Sequence, residues 1–217
     1  MRFILTLLLA LTGPPLHAQE RLEILAIGDS VMAWQAWTGR DIPSEIEDRL
    51  GANVDSEAVP GARFSNTSAF GSALGFDVRG QFKAGPWDII LVNGGANDLL
   101  SDCRCSDCDT VVDGLIAADL SGEIPRFMAE LRETGAEIIW MGYYASYRSG
   151  KFAGCRAYIV EMERRIARLD GIHFIDSEDV IDRQDRRLFA VDGIHPSAAG
   201  TARIGTYLAE RIAALVE

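Results

Sequence analysis

Histidine is scarce in this sequence, three in 217 residues, and no run of lysines and arginines occurs in it. With 21 basic against 32 acidic residues, the formal net charge is −11. Tight binding to a phosphate backbone draws on clustered cations, so no nucleic-acid partner is expected, and anionic membrane surfaces are disfavoured for the same reason. Also missing are G-x-x-x-x-G-K-[ST], a G-x-G-x-x-G after the first strand and H-E-x-x-H, which removes the usual signatures of nucleotide-phosphate and zincin sites. No serine stands in a G-x-S-x-G elbow. What is present is an ordinary globular composition, 48% hydrophobic and 24% charged, which excludes a disordered or fibrous class. The length fits one domain, or one domain with a small appendage.

The first residues combine a basic start at Arg2, an apolar run from Phe3 to Leu11, a Gly13-Pro14-Pro15 break and a small residue at Ala18. This is the pattern of a secretory signal peptide over residues 1–18, with a retained anchor as the other reading. The run is shorter than the ~20 residues of a membrane span, and nothing later resembles a second one. The expected protein is secreted or periplasmic, with residues 19–217 forming one domain that carries a Cys-rich insertion at about 99–112. All four cysteines, Cys103, Cys105, Cys108 and Cys155, lie in that exported part. An even count in an oxidising compartment favours two disulfides. The preferred pairing is Cys105 with Cys108 and Cys103 with Cys155, and four thiolates around zinc are the competing reading.

Five short runs rich in Ile and Val read as buried strands: Leu22 to Ile27, Val54 to Val59, Trp87 to Val92, Glu137 to Met141 and Ile172 to Ile175. Helical spacing appears over Pro43 to Leu50, Leu115 to Thr134, Phe152 to Leu169 and Ser197 to Val216, where Ile204, Leu208, Ile212 and Leu215 share a stripe. Gly51 and Gly171 sit just past helix ends and Pro196 at a first turn, where their backbone preferences suit. Strands alternating with helices predict an α/β protein with a parallel sheet covered on both faces. The segments Gly61 to Pro86 and Leu99 to Gly114 are long for simple connections, and such loops are often functional.

Two histidines remain in the exported part. His173 lies inside a strand and reads as a structural residue. His195, in Asp192-Gly193-Ile194-His195-Pro196, has a carboxylate three positions upstream that can accept its Nδ1 proton and leave Nε2 as a base, although an Asp-Gly turn alone explains the same residues. Ligands of open parallel sheets bind beyond the carboxyl ends of strands. Gly28-Asp29-Ser30 occupies such an end, and the Ser30 N–H, unused by its helix, can face a developing oxyanion, unless Asp29 or Ser30 is simply a cap. If the strand order is 2-1-3-4-5, as in flavodoxin-like sheets, the Gly61 N–H and the Asn97 carboxamide converge on Ser30 as two further donors. His195 must then cross from strand five to strand one, roughly 14 Å at ~4.8 Å per strand. The chain from Asp176 onwards has the reach.

Gly28-Asp29-Ser30, Gly61, Gly95-Ala96-Asn97-Asp98 and Asp192-Gly193-Ile194-His195-Pro196, in that order, resemble the SGNH, or GDSL, hydrolase family from about Leu22 onward. The resemblance implies a three-layer α/β/α sandwich that hydrolyses carboxylic or thio esters through an acyl-enzyme. Ser30 would be the nucleophile, His195 the base and Asp192 its orienting carboxylate, with Ser30, Gly61 and Asn97 as the oxyanion hole. It implies no metal and no cofactor. Two features depart from the simplest pattern, the Cys-rich insertion and the loop Tyr143-Tyr144-Ala145-Ser146-Tyr147. With Trp34 and Trp37, these tyrosines are candidates for an acyl or sugar pocket. Small-molecule, carbohydrate or lipid esters are the expected substrates, among them a lysophospholipid or an acetylated sugar. The alternatives are a flavodoxin-like binding module without chemistry and a metal-dependent phosphoesterase using Asp29, Asp98 and Asp192.

Overall fold

In the computed structural model the described residues are 21–66, 68–147 and 152–216, so the expected signal peptide lies outside them. In chain order the elements are β1 (Glu23–Ile27), α1 (Ser30–Ala33), α2 (Ile42–Leu50), β2 (Asn53–Ser56), α3 (Ala69–Ala73), β3 (Ile89–Val92), α4 (Ala96–Asp102), α5 (Asp109–Leu115), α6 (Glu123–Arg132), β4 (Glu137–Gly142), α7 (Arg156–Ile166), β5 (Ile172–Asp176) and α8 (Ala198–Val216). All strand pairs are parallel and the order is β2-β1-β3-β4-β5, the order the sequence suggests. Four consecutive residues of β1, Ile24 to Ile27, and all of β3 are completely buried. Successive side chains of a strand point to opposite faces, so both faces of the sheet are covered by helices.

The sheet sets where chemistry can occur, because every strand is parallel and all five carboxyl ends open on one edge. α2 starts cleanly because the Asp41 carboxylate accepts the Ser44 N–H, and it stops at Gly51, which is left-handed at φ 62. Its partner is α8, whose Gly205 lies where a Cβ would come 2.4 Å from the Glu45 Cβ. That close approach is one reason glycine stands there.

Three sequence expectations need correction. The strand expected over Val54 to Val59 is Asn53–Ser56, and it is mostly exposed because it forms a sheet edge rather than a buried position. The single helix expected over Leu115 to Thr134 is broken: α5 ends at Leu115 and α6 begins at Glu123, with Leu120 (φ 65) and Gly122 (φ 132) reversing the chain between them. Left-handed backbone cannot continue a right-handed helix.

The third correction concerns the cysteines. Cys103 is bonded to Cys108 and Cys105 to Cys155, and no described cysteine is free, so neither the preferred pairing nor the zinc reading holds. Arg104, Cys105 and Asp107 all have positive φ (53, 60 and 54), which turns the segment back on itself. The reversal puts the Cα atoms of Cys103 and Cys108 5.3 Å apart and leaves Cys105 against the turn Ala153–Cys155. Among the described residues, no helix is long and apolar enough to cross a membrane.

The two bridges close loops of different size, with sequence separations of 5 and 50. On loop-entropy grounds, replacing Cys105 and Cys155 by serine should cost about 4 kcal/mol, and replacing Cys103 and Cys108 about 2 kcal/mol. Denaturant unfolding of the two double variants measures the difference.

Candidate active site

β1 delivers Gly28-Asp29-Ser30 to the open edge of the sheet. Both polar backbone groups of Gly28 are held by one buried side chain: its N–H donates to Gln81 Oε1 (2.6 Å), and Gln81 Nε2 donates to its carbonyl (2.9 Å). Asp29 is 1% exposed and caps α1, its Oδ1 accepting the Val31 N–H at 3.0 Å. Its other oxygen accepts the Tyr143 hydroxyl (2.6 Å) and an Asn97 Nδ2–H (3.2 Å). Burial pushes the Asp29 carboxyl above its usual range, against the pull of Tyr143, Val31 and His195.

Ser30 stands at the first turn of α1, and His195 reaches it from the far side of the sheet with Nε2 2.8 Å from Ser30 Oγ. The other ring nitrogen, Nδ1, is 2.6 Å from Asp192 Oδ2. The second Asp192 oxygen accepts the backbone N–H groups of Ile194 (2.9 Å) and His195 (3.0 Å), so the carboxylate folds under the imidazole. Partial burial pushes the Asp192 carboxyl up, but the His195 contact and those two N–H groups outweigh it and leave it below its usual range. Trp34 stacks on the imidazole with ring centroids 3.8 Å apart and planes at 4°.

The loop bearing His195 is tied to its surroundings at several points. Tyr144 donates its hydroxyl to the Ile194 carbonyl (2.9 Å), the Tyr147 N–H donates to the Gly193 carbonyl (3.0 Å), and Gln35 Nε2 donates to the Pro196 carbonyl (3.3 Å). The crossing from β5 uses two short 3-10 segments, Ser177–Asp179 and Arg186–Leu188. An antiparallel bridge between Phe189 and Pro196 closes it.

Asn97 lies in the first turn of α4, which starts after Gly95, left-handed at φ 103 and packed where a Cβ would meet Met162 Sδ at 2.6 Å. Its amide donates to Asp29 Oδ2 and to the Ala62 carbonyl, both at 3.2 Å. Gly61 sits in the adjoining turn at φ 86 and is not among the residues that line the pocket. Among the described residues, neither the Ser30 N–H nor the Gly61 N–H donates a hydrogen bond. The turn is held against α4 by Asp98, whose carboxylate accepts the N–H groups of Phe64 (3.2 Å) and Ser65 (2.7 Å) and is pushed up to about 6 by burial.

These contacts bear on the candidate carboxylates. Asp29, Asp98 and Asp192 are each committed to different hydrogen-bond donors, and among the described residues no three His, Cys, Asp or Glu side chains group as a metal site. His173 is at the opposite end of β5, its Nε2 2.9 Å from Glu137 Oε2, as a structural role predicts. Trp34 and Trp37 do not line the pocket; Trp34 backs the imidazole and Trp37 is 76% exposed. The expected tyrosines do line it, with Phe152, Ile159, Arg156 and Arg183, around a cavity of about 170 Å³ beside Ser30, Asn97 and His195.

Sequence reading missed Gln81, Tyr143 as a partner of Asp29, and Glu163. The last is buried beneath the pocket, its Oε1 accepting the Tyr143 N–H at 2.5 Å. Burial pushes its carboxyl from 4.5 to about 8, and Tyr143 and Arg156 pull the other way. Only the placement of Tyr143 at the carboxyl end of β4 signalled a site position.

The GDSL-like Lipase/Acylhydrolase family model matches residues 26–203. No curated protein matches the chain. Among solved structures, the chain is similar to a lipase from a goat rumen metagenome (18% identity, 86% of this chain and 95% of that one, TM-score 0.58). It is also similar to a family 2 carbohydrate esterase with a carbohydrate-binding domain from Corynascus thermopiles (20% identity, 94% and 69%, TM-score 0.61). A psychrotrophic esterase from Pseudoalteromonas sp. shares 14% identity over 89% of this chain and 98% of that one, with TM-score 0.60. At these identities the likeness carries the fold.

Two tests follow from the buried groups. Between 4.5 and about 8 the unfolded chain has released the Glu163 proton while the folded protein keeps it, so this stabilisation is complete below that window and lost as pH rises through it. Above about 6 the similar contribution of Asp98 has ended. The wild-type Tm should therefore fall from pH 6 to about 8, and Glu163→Gln, which keeps an acceptor for Tyr143, should flatten that slope. Tyr143→Phe, which removes one donor from a buried carboxylate, should cost about 1–3 kcal/mol in denaturant unfolding.

Proposed function

The chain belongs to the GDSL-like lipase/acylhydrolase family and is an ester hydrolase, and from that premise we propose that Ser30, His195 and Asp192 carry its chemistry. The observation that supports this is the unbroken contact series from Ser30 Oγ to His195 Nε2 (2.8 Å) and from His195 Nδ1 to Asp192 Oδ2 (2.6 Å). His195 takes the Ser30 proton as Oγ attacks the ester carbonyl, forming a tetrahedral intermediate. The imidazolium returns that proton to the departing alcohol, which leaves an acyl-Ser30. Water then attacks the acyl carbon, giving its proton to His195, and the collapse of the second intermediate restores the Ser30 hydroxyl and frees the acid. Asp192 fixes the ring with Nε2 toward Ser30 and favours the imidazolium in both halves.

The negative charge on the carbonyl oxygen is held by the Ser30 N–H, the Gly61 N–H and an Asn97 Nδ2–H. The first two have no competing acceptor among the described residues, and Asn97 reaches the same point once one of its hydrogens leaves Asp29 or Ala62. Stacking on Trp34 keeps water from one face of the imidazole. The cavity, about 170 Å³, is smaller than the several hundred Å³ of a typical drug-sized site, which favours an acetyl or other short acyl group over a long lipid chain. Its aromatic walls suit a small alcohol or a sugar.

A fluorophosphonate probe should label the wild-type protein at Ser30, and p-nitrophenyl acetate and butyrate should be turned over. Ser30→Ala should abolish labelling and lower kcat by several orders of magnitude, and Asn97→Ala should lower kcat by ~10² to 10³ with labelling retained. Wild-type turnover by Ser30→Ala would end this reading; failure of both labelling and turnover in the wild type would favour a binding module.

A further inference from the structure

The pocket beside Ser30 carries a charge pattern opposite to that of the chain. The protein's formal charge is −11, yet two guanidinium groups, Arg156 and Arg183, line the pocket, and among the described residues that line it the only acid is Asp29. Asp29 is buried and its carboxylate is taken up by Val31, Tyr143 and Asn97. The two cations differ in a way that matters. Arg156 is neutralised by an ion pair with Glu178 and also donates to the Tyr143 carbonyl (3.4 Å).

Arg183 is exposed and makes no ion pair or hydrogen bond among the described residues. The acids beside it in the chain are occupied elsewhere. Asp182 accepts the Gln184 N–H (2.8 Å) and lines a separate groove, and Asp185 is gripped by Arg187 through both oxygens (2.9 and 2.8 Å). Among the described residues, the lip of a pocket with apolar and aromatic walls (Tyr144, Tyr147, Phe152, Ile159) thus has one guanidinium, that of Arg183, whose donors are unspent. A planar fork of N–H donors matches a carboxylate or phosphate, and among the described residues the apolar wall holds no acid to compete for it.

We propose that the pocket selects esters carrying a negative group, a carboxylate or a phosphate, away from the reacting carbonyl, and that Arg183 is the residue that reads it. The inference rests on the ester-hydrolase reading of this pocket. It goes beyond that reading by specifying a substrate charge, and it makes Arg183 a specificity residue with no part in bond breaking.

The test uses matched pairs of substrates and reads a ratio. On the acyl side, p-nitrophenyl hydrogen succinate is compared with p-nitrophenyl butyrate; on the alcohol side, 4-acetoxybutanoate is compared with butyl acetate, followed by acid release. The expected result is a kcat/KM ratio of anionic to neutral ester of about 5 to 10 in at least one pair at low salt, carried by KM. Which pair shows it tells whether the charge belongs to the acid or the alcohol. High salt should shrink the ratio. Arg183→Gln should bring it close to one, Arg183→Glu should take it below one, and Arg183→Lys should retain part of it. A general loss of folding lowers both members of a pair alike and leaves the ratio in place. Ratios near one in both pairs, or a preference unmoved by Arg183→Gln and by salt, would overturn the proposal. Labelling at Ser30 and hydrolysis of p-nitrophenyl butyrate report separately on the ester-hydrolase reading, so the two failures are distinct.

Discussion

A buried carboxylate ties this site together. Asp29 is removed from water next to Ser30, at a cost that rises steeply if a charged or polar group is left without partners. Here the cost is offset by three donors from three different elements: the Val31 N–H of α1, the Tyr143 hydroxyl just beyond β4, and the Asn97 amide of α4. Shifting any one of those elements would strand part of the carboxylate. The same bonds that satisfy Asp29 therefore set where Ser30 and Asn97 stand relative to each other, and Glu163, holding the Tyr143 N–H from below, sets the height of the tyrosine.

The second constraint is topological. In a parallel sheet of order β2-β1-β3-β4-β5 the carboxyl ends line up on one edge, but β5 and β1 are not neighbours. His195 reaches Ser30 only because the chain after β5 travels back across that edge. Its landing point is held by groups from both sides of the crossing: Tyr144 and Tyr147 bind Ile194 and Gly193, and Gln35 binds Pro196. Trp34 covers a face of the ring. The tyrosine-rich loop thus has two tasks, lining the pocket and anchoring the imidazole loop that closes its rim.

The cysteine-rich insertion serves the wall of the pocket. The Cys105–Cys155 bridge joins the segment that follows α4, the helix bearing Asn97, to the turn Ala153–Cys155 that leads into α7. Residues on either side of that bond line the cavity: Ala96 and Asn97 on one side, Phe152, Ala153, Arg156 and Ile159 on the other. The Cys103–Cys108 bridge is local and stabilises the reversal that presents Cys105. Connections this long in a compact domain are uncommon, and covalent closure supplies the order that a small local core cannot.

The sequence by itself determined what depends on neighbours along the chain. Short Ile- and Val-rich runs alternating with helical spacing specified the parallel sheet, and Asp192 lies three residues from His195, so their contact is a local turn whose geometry the spacing prescribes. The strand-end position of Ser30 was readable for the same reason. Tertiary structure alone decided the contacts between residues far apart in sequence. Tyr143 meets Asp29 across 114 positions and Gln81 meets Gly28 across 53. The cysteine pairing turned on three left-handed residues, and the break before α6 on two more, none of them visible as hydrophobic periodicity. Periodicity records which face of an element is buried. Which buried groups then face one another depends on strand order, on backbone reversals and on satisfying each buried polar atom, and those conditions are met only once the whole chain is folded.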